Sequence, residues 1–132
     1  MSRTFRSLIA ASALSLTMVG AALAAPDGAS LFQENCSACH QPTGQGIPGA
    51  FPALAGNPFV VGPADPVAVT VLNGRGGMPT FKEDLTDEQI ATILTYVRSA
   101  WGNKAPAIEV ATVAAKRTGG VSENVKSVLP YH

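Results

Sequence analysis

Cysteine is almost absent: Cys36 and Cys39 are the only two in 132 residues, so any cysteine chemistry is confined to one short segment. Histidine is equally scarce, with His40 and His132 alone, and a tetrahedral zinc site built from Cys and His would lack ligands. Charge is low at 14%, nine Lys and Arg balance nine Asp and Glu, and no run of five like charges occurs. That pattern excludes a nucleic-acid arm and a polybasic membrane patch, so no DNA or RNA partner is expected. With 46% hydrophobic residues, the chain suits one soluble domain rather than a disordered tail or a multi-span membrane protein.

The long uncharged stretch from Ser7 to Ala24 follows Arg3 and Arg6 and closes on Ala22-Leu23-Ala24, the layout of an export signal. Cleavage after Ala24 is expected, which places the mature chain in the periplasm. It removes two arginines and no acid, leaving seven basic against nine acidic residues and a formal charge of −2. Left uncleaved, the same 18 uncharged positions sit at the short edge of a bilayer span, and only then would the chain be held at a membrane. The 108 residues that follow allow a single modest core, one that an embedded cofactor would help to stabilise.

Cys36-Ser37-Ala38-Cys39-His40 has the Cys-x-x-Cys-His spacing of covalent c-type haem attachment. Two thiols three positions apart can each add to one vinyl group of the porphyrin while the adjoining imidazole reaches the iron. His40 is therefore the proximal ligand candidate. A zinc site, a thioredoxin-type redox pair and a plain disulfide use parts of the same pattern. The first lacks ligands, the second expects a βαβ setting not found here, and neither of the last two accounts for His40.

A second iron ligand can be sought by elimination. Met1, Met18 and Met78 are the only methionines, and the first two leave with the export segment. Met78 lies 38 residues after His40, in Asn73-Gly74-Arg75-Gly76-Gly77-Met78-Pro79-Thr80-Phe81, where three glycines let the backbone approach a flat ring closely. A methionine filling a core usually lies on a periodic element; this one sits in a Gly-rich, Pro-flanked loop.

Together with Phe51-Pro52-Ala53-Leu54-Ala55-Gly56, these two motifs resemble a bacterial class I cytochrome c, roughly over residues 28–102. The segment from His40 to Gly56 is similar to cytochrome c subunits of periplasmic alcohol and aldehyde dehydrogenases. The resemblance implies an all-α small cytochrome c fold, with three to five helices packed around one haem c bound covalently through Cys36 and Cys39. It implies iron ligation by His40 and Met78, and a Pro52 carbonyl that accepts the Nδ1 proton of His40. Leu54 and Phe51 would wall the pocket. The expected division is an export segment over 1–24, a cytochrome c domain over 25–102 and a C-terminal extension over 103–132.

Local signals predict three helices. The first runs from Gly28 to Ala38, capped by Asp27, with Leu31 and Phe32 turned inward. The stretch from Gln41 to Pro63 holds five prolines and five glycines, so no regular structure is expected there. The second helix starts at Asp65 as N-cap with Pro66 behind it and stops near Gly74. The third opens on the capping box Thr86-Asp87-Glu88-Gln89, with Leu85 stapled onto Ile90, and ends near Gly102. Its face of Ile90, Ile93, Leu94 and Val97 is expected against Leu31 and Phe32, since the family crosses these helices. Tyr96 and Trp101 are core or haem-lining aromatics. Val121, Val125, Val128 and Leu129 predict a short terminal helix that packs on the same domain or docks a partner.

With His40 and Met78 both on the iron, no position remains for a substrate, and the expected role is electron transfer rather than catalysis. Asp87 and Glu88 suit the first turn of a helix, and Glu83 and Asp84 a solvated turn. The electron donor would be a periplasmic dehydrogenase, the acceptor a terminal oxidase or another cytochrome. The small net charge points to docking through a mostly apolar rim. The alternative class is a haem enzyme or gas sensor with an open sixth position; a third reading puts His132 on the iron, from the end of a tail.

Overall fold

The computed structural model describes residues 26–119; the export segment, the Val121 to Leu129 stripe and His132 lie outside the described residues. Within them the chain is all-α, as expected, but with six helices and no strand rather than three to five helices. These are α1 (Gly28–Asn35), α2 (Ser37–His40), α3 (Pro58–Val61), α4 (Ala64–Asn73), α5 (Asp87–Ser99) and α6 (Val110–Arg117). The surplus comes from two four-residue helices, α2 and α3, and from α6.

Asp27 caps α1 as expected, its carboxylate accepting from Ser30 N at 2.8 Å, and that bond holds the carboxyl below its usual pKa. The helix does not run unbroken to Ala38. It breaks at Cys36 and restarts at Ser37, whose Oγ donates back to Gln33 O at 2.7 Å, a bond type that bends helices. The second long helix begins two residues early, at Ala64 rather than Pro66, with Pro63 rather than Asp65 as its N-cap. Asp65 thus sits in the first turn, not at the cap, still within reach of the helix dipole, and pairs with Lys116 Nζ at 2.7 Å.

The capping box at α5 forms in both directions: Gln89 N donates to Thr86 Oγ1 at 3.2 Å and Thr86 N to Gln89 Oε1 at 2.9 Å. The far end differs from expectation. The helix stops at Ser99, and Ala100 is already extended. Trp101 then takes a left-handed conformation (φ 53) that seats its ring 5.0 Å from Phe32 and 5.5 Å from Tyr96. Opposite that ring, Gly44 has no side chain to spare: a Cβ there would lie 2.4 Å from Trp101 Cε3.

The core joins Leu31 and Phe32 of α1 to Ile90, Ile93, Leu94 and Val97 of α5, with Val67, Ala68 and Leu72 of α4. Helix α1 packs on α5, the crossing expected from the resemblance. Ile108 and Val113 belong to the same core, and α6 lies against α4 and α5, so the described part of the segment after residue 102 packs onto that core.

Two buried polar side chains tie these layers. Asn103 accepts from Gly56 N at 2.8 Å and donates to Leu54 O and Val97 O at 3.1 and 2.8 Å, fastening the long loop to α5. Arg98, 3% exposed, donates from Nε to Pro106 O at 2.9 Å and from Nη1 to Val60 O and Gly62 O at 2.6 and 2.8 Å. Burial pushes its pKa down. Arg98→Met would leave three carbonyls without their charged donor. The expected loss is about 3 kcal/mol of unfolding free energy, read by urea denaturation of the haem-loaded protein; a loss under about 1 kcal/mol would contradict this assignment.

Candidate haem-binding site

The break between α1 and α2 places Cys36 at the junction and Cys39 and His40 on the single turn that follows. Both thiols are half-buried and unbridged, as attachment to two vinyl groups requires. Burial, with the neighbouring Cys39 adding, pushes the Cys36 thiol up to about 11. A thiol held neutral in an apolar setting suits a thioether better than a metal thiolate. Among the described residues no group of three or more His, Cys, Asp or Glu is placed to hold a metal ion.

His40 is buried, 8% exposed, and its Nδ1 lies 2.9 Å from Pro52 O. A carbonyl only accepts, so Nδ1 carries the proton and Nε2 keeps the lone pair that can meet a metal. The Pro52 carbonyl is itself held in place. Ile47 and Phe51 exchange backbone hydrogen bonds of 2.8 Å each, Gly46 N donates to His40 O at 2.9 Å, and Leu54 N donates to Gly44 O at 2.7 Å. Leu54 is half-buried against the core. Phe51 and Ile47 are 38% and 40% exposed, and Phe51 and Pro52 line a shallow cleft of about 360 Å³. Apolar side chains left open beside an oriented imidazole are what a flat hydrophobic group would cover.

Met78 stands on a separate loop. The hydrogen bonds that hold it run to Arg75, N to O at 3.0 Å and O from N at 3.2 Å, rather than to the His40 segment. The loop returns to its stem where Phe81 N donates to Val71 O at 3.1 Å and Thr80 Oγ1 donates to Leu72 O. Gly74 makes the exit from α4 at φ 74, ψ 172, a region open essentially to glycine alone; a Cβ there would meet Met78 O at 2.5 Å. Gly74→Ala is expected to cost about 2 kcal/mol and to loosen the Met78 turn; thermal unfolding with an unchanged midpoint would refute it.

Residues 23–97 match the family model described as cytochrome C oxidase, cbb3-type, subunit III. The chain belongs to this family of c-type cytochrome domains. Cytochrome c-552 of Thermus thermophilus is 36% identical over 104 residues, covering 67% of this chain and 69% of the relative. An alcohol dehydrogenase (quinone) cytochrome c subunit of Gluconobacter oxydans is 34% identical over 107 residues, and a fructose dehydrogenase cytochrome subunit of Gluconobacter japonicus 38% over 109. They cover 70% and 71% of this chain, which spans only 22% of each of those relatives.

Membership carries a covalently bound haem c and an electron-transfer role. The donor set fits that group: two adjacent free thiols, an imidazole with its tautomer fixed, and apolar side chains left open around them. No helix among the described residues is long and apolar enough to cross a membrane. Sequence reasoning missed Arg98 and Asn103 as structural ties, since most of their partners lie far along the chain.

Proposed function

We propose that the chain is an exported electron carrier or haem subunit in which Cys36 and Cys39 would tether the haem and His40 and Met78 would ligate its iron. When bound, the haem supplies a one-electron ferric/ferrous couple. The protein's work is to hold everything else still. The Pro52 carbonyl fixes the His40 ring and raises its basicity. Met78 offers a thioether, which favours the reduced state and raises the potential. Leu54 and Phe51 keep water from the ring face, while the core of α1, α4 and α5 resists rearrangement when charge changes. The hydrogen bond from His40 Nδ1 to Pro52 O, 2.9 Å long, carries this reading.

The proposed division is removal of residues 1–24, a cytochrome domain from 25 to 102 and an extension from 103 to 132, whose described part packs onto that domain. In this reading a periplasmic dehydrogenase is the electron donor and an oxidase or second cytochrome the acceptor; the dehydrogenase and oxidase subunits named among the matches support partners of those general kinds. No side chain needs to act as general acid, base or nucleophile; Asp87, the acid at the head of α5, is engaged by Arg117 Nε at 2.6 Å.

An optical spectrum of the oxidised and reduced holoprotein tests the proposal. A weak near-infrared ferric sulfur-to-iron charge-transfer band, together with a reduced spectrum that carbon monoxide leaves unchanged, is the expected result. Absence of the band with binding of carbon monoxide would overturn Met78 ligation and favour an open-site haem protein.

A further inference from the structure

Arg75 is the only charged residue between Asn73 and Phe81. Its guanidinium carbon lies 5.5 Å from the centroid of the Phe59 ring, inside the ~6 Å range at which a cation is drawn to an aromatic face. Among the described residues no ion pair engages Arg75, so the ring is its partner.

The contact joins two parts of the fold that the backbone leaves apart. Every hydrogen bond described above for the Met78 loop closes within the loop or onto α4, its own stem. At the tip, Gly76 and Gly77 have open space around them. The Arg75 side chain reaches instead to α3, and α3 is firmly based. Phe59 N donates to the Asn57 side chain at 2.9 Å, Val60 is in the core, and Arg98 grips Val60 O and Gly62 O.

We propose that the Arg75–Phe59 contact is a latch that holds the Met78 turn in the position from which the thioether meets the iron. It rests on the reading of Met78 as ligand. Arg75 acts through the turn and touches no reacting atom, so it is a positioning residue. Arg75 and Phe59 are both exposed, so their replacement spares the core. A surface contact of this kind changes an equilibrium two- to fivefold, roughly.

The test measures the affinity of imidazole for the ferric holoprotein and the intensity of the near-infrared band in wild type, R75Q, F59L, the R75Q/F59L double variant and R75K. Both single variants are expected to bind imidazole about threefold more tightly and to show a weaker band. The double variant should show no more than the larger single effect, because both changes break one contact. R75K, which keeps a cation, should fall between R75Q and wild type. Wild-type affinity and band in both single variants, or single effects that multiply in the double variant, would overturn the latch alone. A wild-type protein without the band would overturn the ligand reading and the latch with it, so the two failures are distinguishable.

Discussion

Met78→Ala keeps its haem, loses the near-infrared band, binds carbon monoxide when reduced, and has a midpoint potential lower by on the order of 0.1 V or more, within the ~0.8 V that axial ligands command. A thioether is a soft ligand that stabilises ferrous over ferric iron, and alanine puts nothing in its place, so water or an added ligand takes the position. The fold itself should survive. Met78 lies half-buried on a loop whose anchors, Gly74, Thr80 and Phe81, are untouched. A redox titration beside a carbon monoxide difference spectrum reads both effects; an unchanged potential with a spectrum inert to carbon monoxide would exclude Met78 from the iron.

Replacing Cys36 and Cys39 together by alanine should have a larger effect on stability. Covalent haem should vanish, so that denaturation in acid and organic solvent strips all haem from the variant and none from wild type. The loss should be on the order of 5 kcal/mol, comparable with the whole stability of a small domain. Without a tethered ring, Ile47 and Phe51 stand open to water. Normal stability in the haem-free variant would mean that the helices alone make the core, against the architecture argued above.

The parts legible in the sequence are those whose causes lie within a few residues. Asp27 and Ser30, or Thr86 and Gln89, are close enough for the cap to be read directly, and the haem-attachment pentapeptide carries its chemistry in its own spacing. Pro52 was reached only through the resemblance, because nothing near it in the chain points to an imidazole twelve positions earlier. Helix α6 escaped notice for another reason. Its N-cap, Glu109, makes no side-chain cap bond, and its buried contribution is only Thr112 and Val113, so the apolar pattern stood out more clearly at Val121 to Leu129, outside the described residues. The grip of Arg98 on Val60, Gly62 and Pro106 could not be read locally either. A lone arginine at the end of an amphipathic helix looks like a solvated charge until the loop that surrounds it is in place.

The position of α6 has a consequence for timing. Lys116 reaches back to Asp65 at 2.7 Å and Arg117 to Asp87 at 2.6 Å, with further bonds from Arg117 to the carbonyls of Lys82 and Leu85. These are among the last described residues to be synthesised, and they close on the first turns of α4 and α5. The haem-attachment segment leaves the ribosome well before α5, against which α1 packs. A chain that has emerged only as far as α2 thus presents both thiols without the helix that α1 packs on, and the clasp at Lys116 and Arg117 can close only once α4, α5 and α6 are all present.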